Sequence, residues 1–145
     1  MISRSTPVAV GLGCDRGTPL ATVVHTLDAA LMQAGLVRAQ VAVLASIEAK
    51  RDEAAFTELA VLGDWPFQFF SATTLAAVAV PNPSATVFRY MGTPSVSEAA
   101  ALLAAQSMVA EPGAAQLLVE KFKYQGADGR HATVSIASVS PLSFP

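Results

Sequence analysis

The chain has 145 residues, of which 52% are hydrophobic and 14% are charged. This length and apolar fraction predict that residues 1–145 form a single domain. A net charge of -2 excludes the basic surface that nucleic-acid binding requires. One cysteine and two histidines are too few for a disulfide framework or a convincing zinc site, so no metal and no cofactor is predicted. No membrane-spanning run or signal peptide is recognisable, which predicts a cytoplasmic protein without a membrane partner.

Short apolar runs alternate with segments of helical periodicity, a pattern typical of an α/β fold. Buried strands are predicted for three apolar runs, at 7–12, 41–45 and 67–70. Residues 117–124 and 132–138 flank an Asp-Gly turn and predict a C-terminal hairpin. Apolar strands joined by helices pair in parallel and are covered on both faces. The predicted fold is a three-layer α/β/α arrangement with a mixed, mostly parallel sheet of about five strands and a C-terminal β-hairpin.

Capping residues predict where the helices begin and end. Thr18 is a plausible N-cap for the first helix, because its hydroxyl can accept a hydrogen bond from the first turn. Gly63 is expected to end the second helix. Ser95 and Glu98 form an S-x-x-E pattern before an alanine-rich run, which predicts a capping box at the start of a further helix.

The loop after the first strand carries the strongest local signal for ligand binding. It contains Gly11, Gly13, Arg16 and Gly17 between a strand and a helix. Such a turn exposes backbone N–H groups at a helix N-terminus, where an anion is favoured, and arginine prefers carboxylate or phosphate. The same glycines also suit a purely structural turn. A phosphate- or nucleotide-binding domain is disfavoured, because neither a Gly-Lys-Ser/Thr sequence nor the full G-x-G-x-x-G spacing is present.

Residues 46–53 follow the second strand and supply further charges at the same expected sheet edge. Lys50 and Arg51 either face a ligand there or pair with Asp52 and Glu53 at a solvated helix start. From the residues alone, pairing is the favoured interpretation, and such exposed pairs contribute little energy.

Two other segments present polar groups that allow two interpretations each. In the segment 81–84, two prolines hold Asn82 and Ser84 in a stiff loop, either as hydrogen-bonding groups for a ligand or as part of a rigid connector. Lys121 and Lys123 share one face of a predicted strand by alternation. They either face an anion together or serve as edge charges that discourage aggregation.

The sequence does not identify a catalytic residue by spacing. Cys14 lies where a helix dipole would lower its pKa, but neither histidine is near it in sequence, so a cysteine nucleophile is disfavoured. Asp15 and Glu53 are the candidate acid/base carboxylates, whereas Glu98 is better explained by capping. No Ser-His-Asp arrangement can be assigned.

Several blocks of the sequence are familiar when taken in order. The segment VGLGCDRGT resembles a G-x-G-C-x-R-G-T opening, and ASIEAKRDE resembles an S-I-x-x-K-x-D-E block. PNPS and GTPSVSEAAAL resemble a third and a fourth block, and Lys121 and Lys123 resemble a basic closing strand. Together these blocks, over residues 8–137, resemble the CobE/CbiG C-terminal domain family of cobalamin biosynthesis. Without a counterpart of the additional N-terminal region of CbiG, the chain most resembles the stand-alone CobE type.

The resemblance implies a role in building the corrin ring. Corrin precursors carry several carboxylates around an apolar macrocycle, so their site needs cations and backbone donors over an apolar floor. We therefore expect binding of a precorrin or corrin intermediate, with other cobalamin-pathway enzymes as further partners. The expected binding residues are Gly11, Gly13, Cys14, Arg16, Gly17, Thr18, Ser46, Lys50, Asn82, Ser84, Lys121 and Lys123. The alternative is a hydrolase of a precorrin-5-type lactone, since CbiG members open the δ-lactone of cobalt-precorrin-5A.

Overall fold

The computed structural model describes residues 6–81 and 95–139. The strands in these ranges are β1 (Val8–Cys14), β2 (Val41–Ile47), β3 (Phe67–Phe70), β4 (Ala115–Gln125) and β5 (His131–Val139). The helices are α1 (Leu20–Gln33), α2 (Ala54–Gly63), α3 (Ala72–Ala76) and α4 (Val96–Gln106). Two single 3-10 turns, Arg38–Gln40 and Glu48–Lys50, precede and follow β2. Within the described ranges, no helix is both long enough and apolar enough to cross a membrane.

The five strands form one sheet in the order β3-β2-β1-β5-β4. β1 pairs with β2 and β2 with β3 in parallel, whereas β5 pairs antiparallel with both β1 and β4. Four strands therefore run in one direction and β5 runs against them. The predicted α/β fold, with a five-stranded mixed sheet and a C-terminal hairpin, is confirmed.

Alternation along β1 divides the core between the two faces of the sheet. Val8, Val10 and Leu12 pack with α1 and α2 on one face, and Ala9 packs with the alanines of α4 on the other. Small residues on both sides of this second interface let α4 approach the sheet closely. The approach is closest at Gly11, where an added Cβ would overlap the carbonyl oxygen of Ser97. The N-terminus of α4 is thereby held at the carboxyl end of β1.

Two of the predicted capping roles, those of Thr18 and Ser95, are wrong, whereas the predicted end of the second helix agrees with the structure. Thr18 does not cap α1; its hydroxyl donates to the carbonyl of Asp15, and Pro19 occupies the N-cap. α2 ends at Gly63 as predicted, and the C-cap residue Asp64 adopts the left-handed conformation with φ of 55°. Ser95 precedes α4 as expected but makes no side-chain capping bond.

Candidate functional site

A cleft of about 200 Å³ opens at the carboxyl ends of β1 and β2. The N-terminus of α4 and the neighbouring parts of β4 and β5 complete its walls. The residues that line it are Gly13, Cys14, Asp15, Ile47, Lys50, Val96, Ser97, Lys121, Lys123, His131 and Thr133. The loop after β1 and the segment after β2 therefore meet at one edge of the sheet. Of the third expected segment, only Pro81 lies within the described residues; Asn82 and Ser84 lie outside them.

Three lysines from separate parts of the chain give this cleft its positive charge. Lys121 and Lys123 come from β4, and Lys50 comes from the turn after β2. The Lys50 side chain is only 7% exposed, and its Nζ lies 3.6 Å from Oε1 of Glu53. Burial lowers the pKa of Lys121; Glu98 opposes this shift, and the neighbouring Lys123 adds to it. The two amines on β4 therefore gain from an anion that enters the cleft and screens their mutual repulsion.

Asp15 and His131 form a pair at the cleft wall that sequence spacing did not reveal. Oδ2 of Asp15 accepts a hydrogen bond from the backbone N–H of His131 at 2.7 Å and lies 3.2 Å from Nδ1 of its ring. The two residues are 116 positions apart, and the antiparallel pairing of β1 with β5 brings them together. Burial disfavours the charged form of Asp15, but the hydrogen bonds from His131 outweigh it and lower the pKa of the carboxyl group.

Cys14 lines the same cleft but is a weak nucleophile. Burial raises the pKa of its thiol to about 11, and the carboxylates of Glu53 and Asp15 act in the same direction against Lys50. At neutral pH the thiolate fraction is therefore on the order of one part in ten thousand. This environment agrees with the expectation from the sequence that Cys14 does not act as a nucleophile.

Arg16 lies in the loop after β1 but is not among the described residues that line the cleft. Its Nη1 is 3.0 Å from Oδ1 of Asp52 and 3.4 Å from Oε1 of Glu53, and its side chain is 62% exposed. Nη2 also donates to the carbonyl of Ala49 at 3.4 Å. The guanidinium thus links the loop after β1 to the segment after β2. The predicted pairing of Lys50 with Glu53 is present, and Arg51 lies over the ring of Phe69, with Cζ 4.8 Å from the ring centroid.

Four other expected binding residues have internal partners. The N–H of Gly17 donates to Oε2 of Glu53 at 2.8 Å, and the Ser46 hydroxyl donates to the carbonyl of Leu12 at 2.7 Å. Thr18 is buried and its hydroxyl donates to the carbonyl of Asp15 at 2.7 Å, and α4 covers Gly11. These residues shape the cleft from behind its surface. Of the expected residues, the surface itself is provided by Gly13, Cys14, Asp15, Lys50, Lys121 and Lys123.

The family model for the cobalamin synthesis G C-terminus matches residues 8–137, nearly the whole chain. The chain belongs to this family. It is a cobalamin biosynthesis protein by this membership, and the resemblance noted in the sequence blocks is confirmed. The match includes four strands, all but the last two residues of β5, and the residues that line the cleft.

The chain is also similar to individual proteins of cobalamin biosynthesis. Protein CobE from Sinorhizobium sp is 34% identical over 137 residues, which cover 93% of this chain and 82% of that protein. The cobalt-precorrin-5A hydrolase of Priestia megaterium is 35% identical over 103 residues, 71% of this chain but only 28% of the hydrolase. The crystal structure of CobE, a protein from the cobalamin (vitamin B12) biosynthetic pathway, superposes with a TM-score of 0.78 at 32% identity, covering 91% of this chain and 89% of CobE. The chain thus spans most of a CobE protein and little more than a quarter of the hydrolase.

Proposed function

We propose that this protein binds a precorrin or corrin intermediate of cobalamin biosynthesis at the cleft, through the carboxylates on the edge of the macrocycle. The observation that carries the proposal is the convergence of Lys50, Lys121 and Lys123 on one cleft in a chain whose net charge is -2. The three cations line the cleft beside Gly13, Cys14 and Asp15 of the first sequence block. A cytoplasmic location and contact with other pathway enzymes are part of the same proposal.

The size of the cleft limits how such a ligand is held. Pockets that enclose a drug-sized ligand typically have volumes of roughly 300–1,000 Å³, and this cleft has about 200 Å³. It therefore receives carboxylate arms from the ring edge, while the remainder of the macrocycle lies outside the described walls. Ile47 and Val96 give those arms an apolar floor, and the lysines give charge-assisted hydrogen bonds.

Titration with two corrins that share the ring but differ in the charge of its carboxyl arms tests this proposal. Cobyrinic acid presents free carboxylate arms, and its fully methylated ester presents the same ring without the negative charges. We expect the acid to bind, to bind more weakly at higher salt, and to bind at least about tenfold more tightly than the ester, since each charge-assisted bond is worth about 1.5–3 kcal/mol. Equal affinities for acid and ester, or no binding of the acid, would refute recognition through carboxylates.

The Asp15–His131 pair favours a second candidate, hydrolysis of a precorrin-5-type lactone. With Nδ1 held by Asp15, the Nε2 atom of His131 is the ring nitrogen left to act as a base. In this scheme Nε2 takes a proton from water, the hydroxide adds to the lactone carbonyl, the ring C–O bond breaks, and the leaving alkoxide regains the proton. Lys50, Lys121 and Lys123 line the same cleft and are the cations available to stabilise the developing oxyanion.

Incubation with cobalt-precorrin-5A separates the two candidates. A lactone-opened product, with or without release of acetaldehyde, would support the hydrolase if it is absent with His131→Gln although that variant still binds cobyrinic acid. Binding without product would leave the binding function alone. The phosphate- or nucleotide-binding alternative is weaker than both, because the Gly17 N–H that would meet a phosphate donates to Glu53.

A further inference from the structure

Glu98 is a fully buried acidic residue that helix capping does not explain. It lies in the first turn of α4 with 0% exposure, and the capping box predicted for it with Ser95 is not formed. Its Oε2 instead accepts a hydrogen bond from the backbone N–H of Lys121 on β4, at 3.1 Å. A buried carboxylate is costly unless hydrogen bonds or charges compensate it, so its contact with the strand that carries two cleft lysines calls for an explanation.

The contact lies at an irregularity of β4. Relative to β5, β4 has one extra residue between Leu117 and Val119, and another between Val119 and Phe122. Each extra residue moves the following side chains to the opposite face of the sheet. Leu117 therefore packs on the α4 side, Val119 packs in the core on the α1 side, and Lys121 returns to the α4 side, where the cleft lies.

The second irregularity thus decides which face Lys121 and Lys123 occupy. A bulge leaves a backbone group outside the regular ladder of hydrogen bonds. Here the N–H of Lys121 is satisfied by a side chain from another layer of the fold, which pins the bulge to α4.

We propose that Glu98 is a positioning residue for the cleft: its carboxylate fixes the bulge at residues 120–121 and so keeps Lys121 and Lys123 turned toward the ligand carboxylates. This inference rests on the proposed corrin binding for its function, but its structural part stands on the register of β4. It gives α4 a role in orienting the two lysines of β4, a strand 23 residues further along the chain at Lys121.

The charges around Lys121 support the same role. Glu98 faces it from α4 and Lys123 from its own strand, while Lys50, Asp15, His131 and Cys14 line the same cleft. Burial lowers the pKa of Lys121, Glu98 raises it, and Lys123 lowers it. The Glu98 carboxylate therefore helps to keep the amine of Lys121 protonated for an anionic ligand.

The first test needs no ligand. Amide hydrogen exchange at Lys121 is compared between the wild-type chain, Glu98→Gln, which keeps a carbonyl acceptor, and Glu98→Ala, which removes it. We expect exchange at Lys121 to accelerate roughly tenfold or more in Glu98→Ala and to stay within about threefold of wild type in Glu98→Gln. Ser95→Ala is the matched control, because the buried Ser95 hydroxyl at the same helix start has no hydrogen-bond partner among the described residues. Unchanged exchange in a folded Glu98→Ala variant would overturn the inference.

The second test measures affinity for cobyrinic acid. We expect Glu98→Ala to weaken binding roughly tenfold or more, and to have little further effect in a Lys121→Ala background, because Glu98 acts through that residue. An equal loss in both backgrounds would instead indicate a general effect on folding and refute the positioning role. If the wild-type chain does not bind cobyrinic acid at all, the proposed function fails, while the exchange measurement still decides whether Glu98 fixes the bulge.

The pH dependence of ligand binding by Glu98→Gln distinguishes a positioning role of Glu98 from a role in packing alone. This measurement still tests the inference if Glu98→Ala does not fold. Binding weakens as pH rises through the pKa of Lys121, because the amine loses its charge. Removing the negative charge of Glu98 lowers that pKa, so the weakening should occur at lower pH in Glu98→Gln than in wild type. Nuclear magnetic resonance titration of the Lys121 amine in the ligand-free protein gives the same comparison. Identical titration curves in the two proteins would count against the inference.

Discussion

The backbone N–H of Gly17 donates a hydrogen bond to Oε2 of Glu53 over 2.8 Å, which ties the loop after β1 to the start of α2. The other oxygen of the same carboxylate lies 3.4 Å from Arg16 and 3.6 Å from Lys50. The Glu53 side chain is only 3% exposed, so water cannot easily replace its contacts with Arg16, Lys50 and the Gly17 N–H. Glu53 therefore contributes the buried part of the contact between the two sequence blocks that border the cleft.

Replacement of Glu53 by alanine should destabilise the fold. The change leaves Lys50 buried without its carboxylate and leaves the Gly17 N–H without an acceptor, so we expect the free energy of unfolding to fall by about 2–4 kcal/mol. Urea denaturation measures this loss. Asp52→Ala is the control, because Asp52 contacts the same arginine with a side chain that is 79% exposed, and its urea midpoint should not change measurably. Equal effects of the two substitutions would contradict a central role for Glu53.

Gly11 and Gly13 form a second matched pair, only two residues apart on β1. A Cβ at Gly11 would overlap the backbone of Ser97 in α4, whereas a Cβ at Gly13 would come no nearer than 3.9 Å to Thr133. We expect Gly11→Ala to lower the free energy of unfolding by about 1–3 kcal/mol or more, as overpacked cores do. Gly13→Ala should keep the wild-type melting temperature. Similar melting curves for the two variants would show that α4 does not approach β1 this closely.

The parts of the fold that local pattern encodes were predictable, and the pairing of distant segments was not. Apolar runs and an Asp-Gly turn were enough to predict the parallel strands and the hairpin. Local periodicity does not predict the order of strands in a sheet. The position of β5 between β1 and β4, and with it the contact of His131 with Asp15, could therefore not be predicted. The role of Glu98 was not predictable either. The S-x-x-E pattern predicts a helix cap, but the Glu98 side chain accepts a hydrogen bond from the backbone of β4.

Acid titration should reveal the Asp15–His131 contact. The lowered pKa of Asp15 means that its ionised form stabilises the folded state above its ordinary value near 4, and that this contribution disappears as pH falls through the lower folded value. We therefore expect the stability difference between wild type and Asp15→Asn to be constant from about pH 5 down to about pH 4 and to shrink below it. Urea denaturation of both proteins between pH 2.5 and 5 measures this difference. If the stability difference between the two proteins does not change with pH, ionisation of Asp15 does not stabilise the fold.

Lys123 and Arg16 allow a direct comparison between a cation that lines the cleft and one that does not. Lys123→Ala should weaken binding of cobyrinic acid about ten- to a hundredfold, the loss expected for one charge-assisted hydrogen bond. Arg16→Ala should change the affinity by no more than about threefold, because the guanidinium of Arg16 is engaged by Asp52 and Glu53 outside the cleft. Isothermal titration of both variants, with melting curves to establish that each is folded, decides between them. A tenfold loss of affinity in a folded Arg16→Ala variant would restore Arg16 as a ligand contact, in agreement with its place in the sequence block, and would require the loop to release it from its carboxylates when the corrin binds.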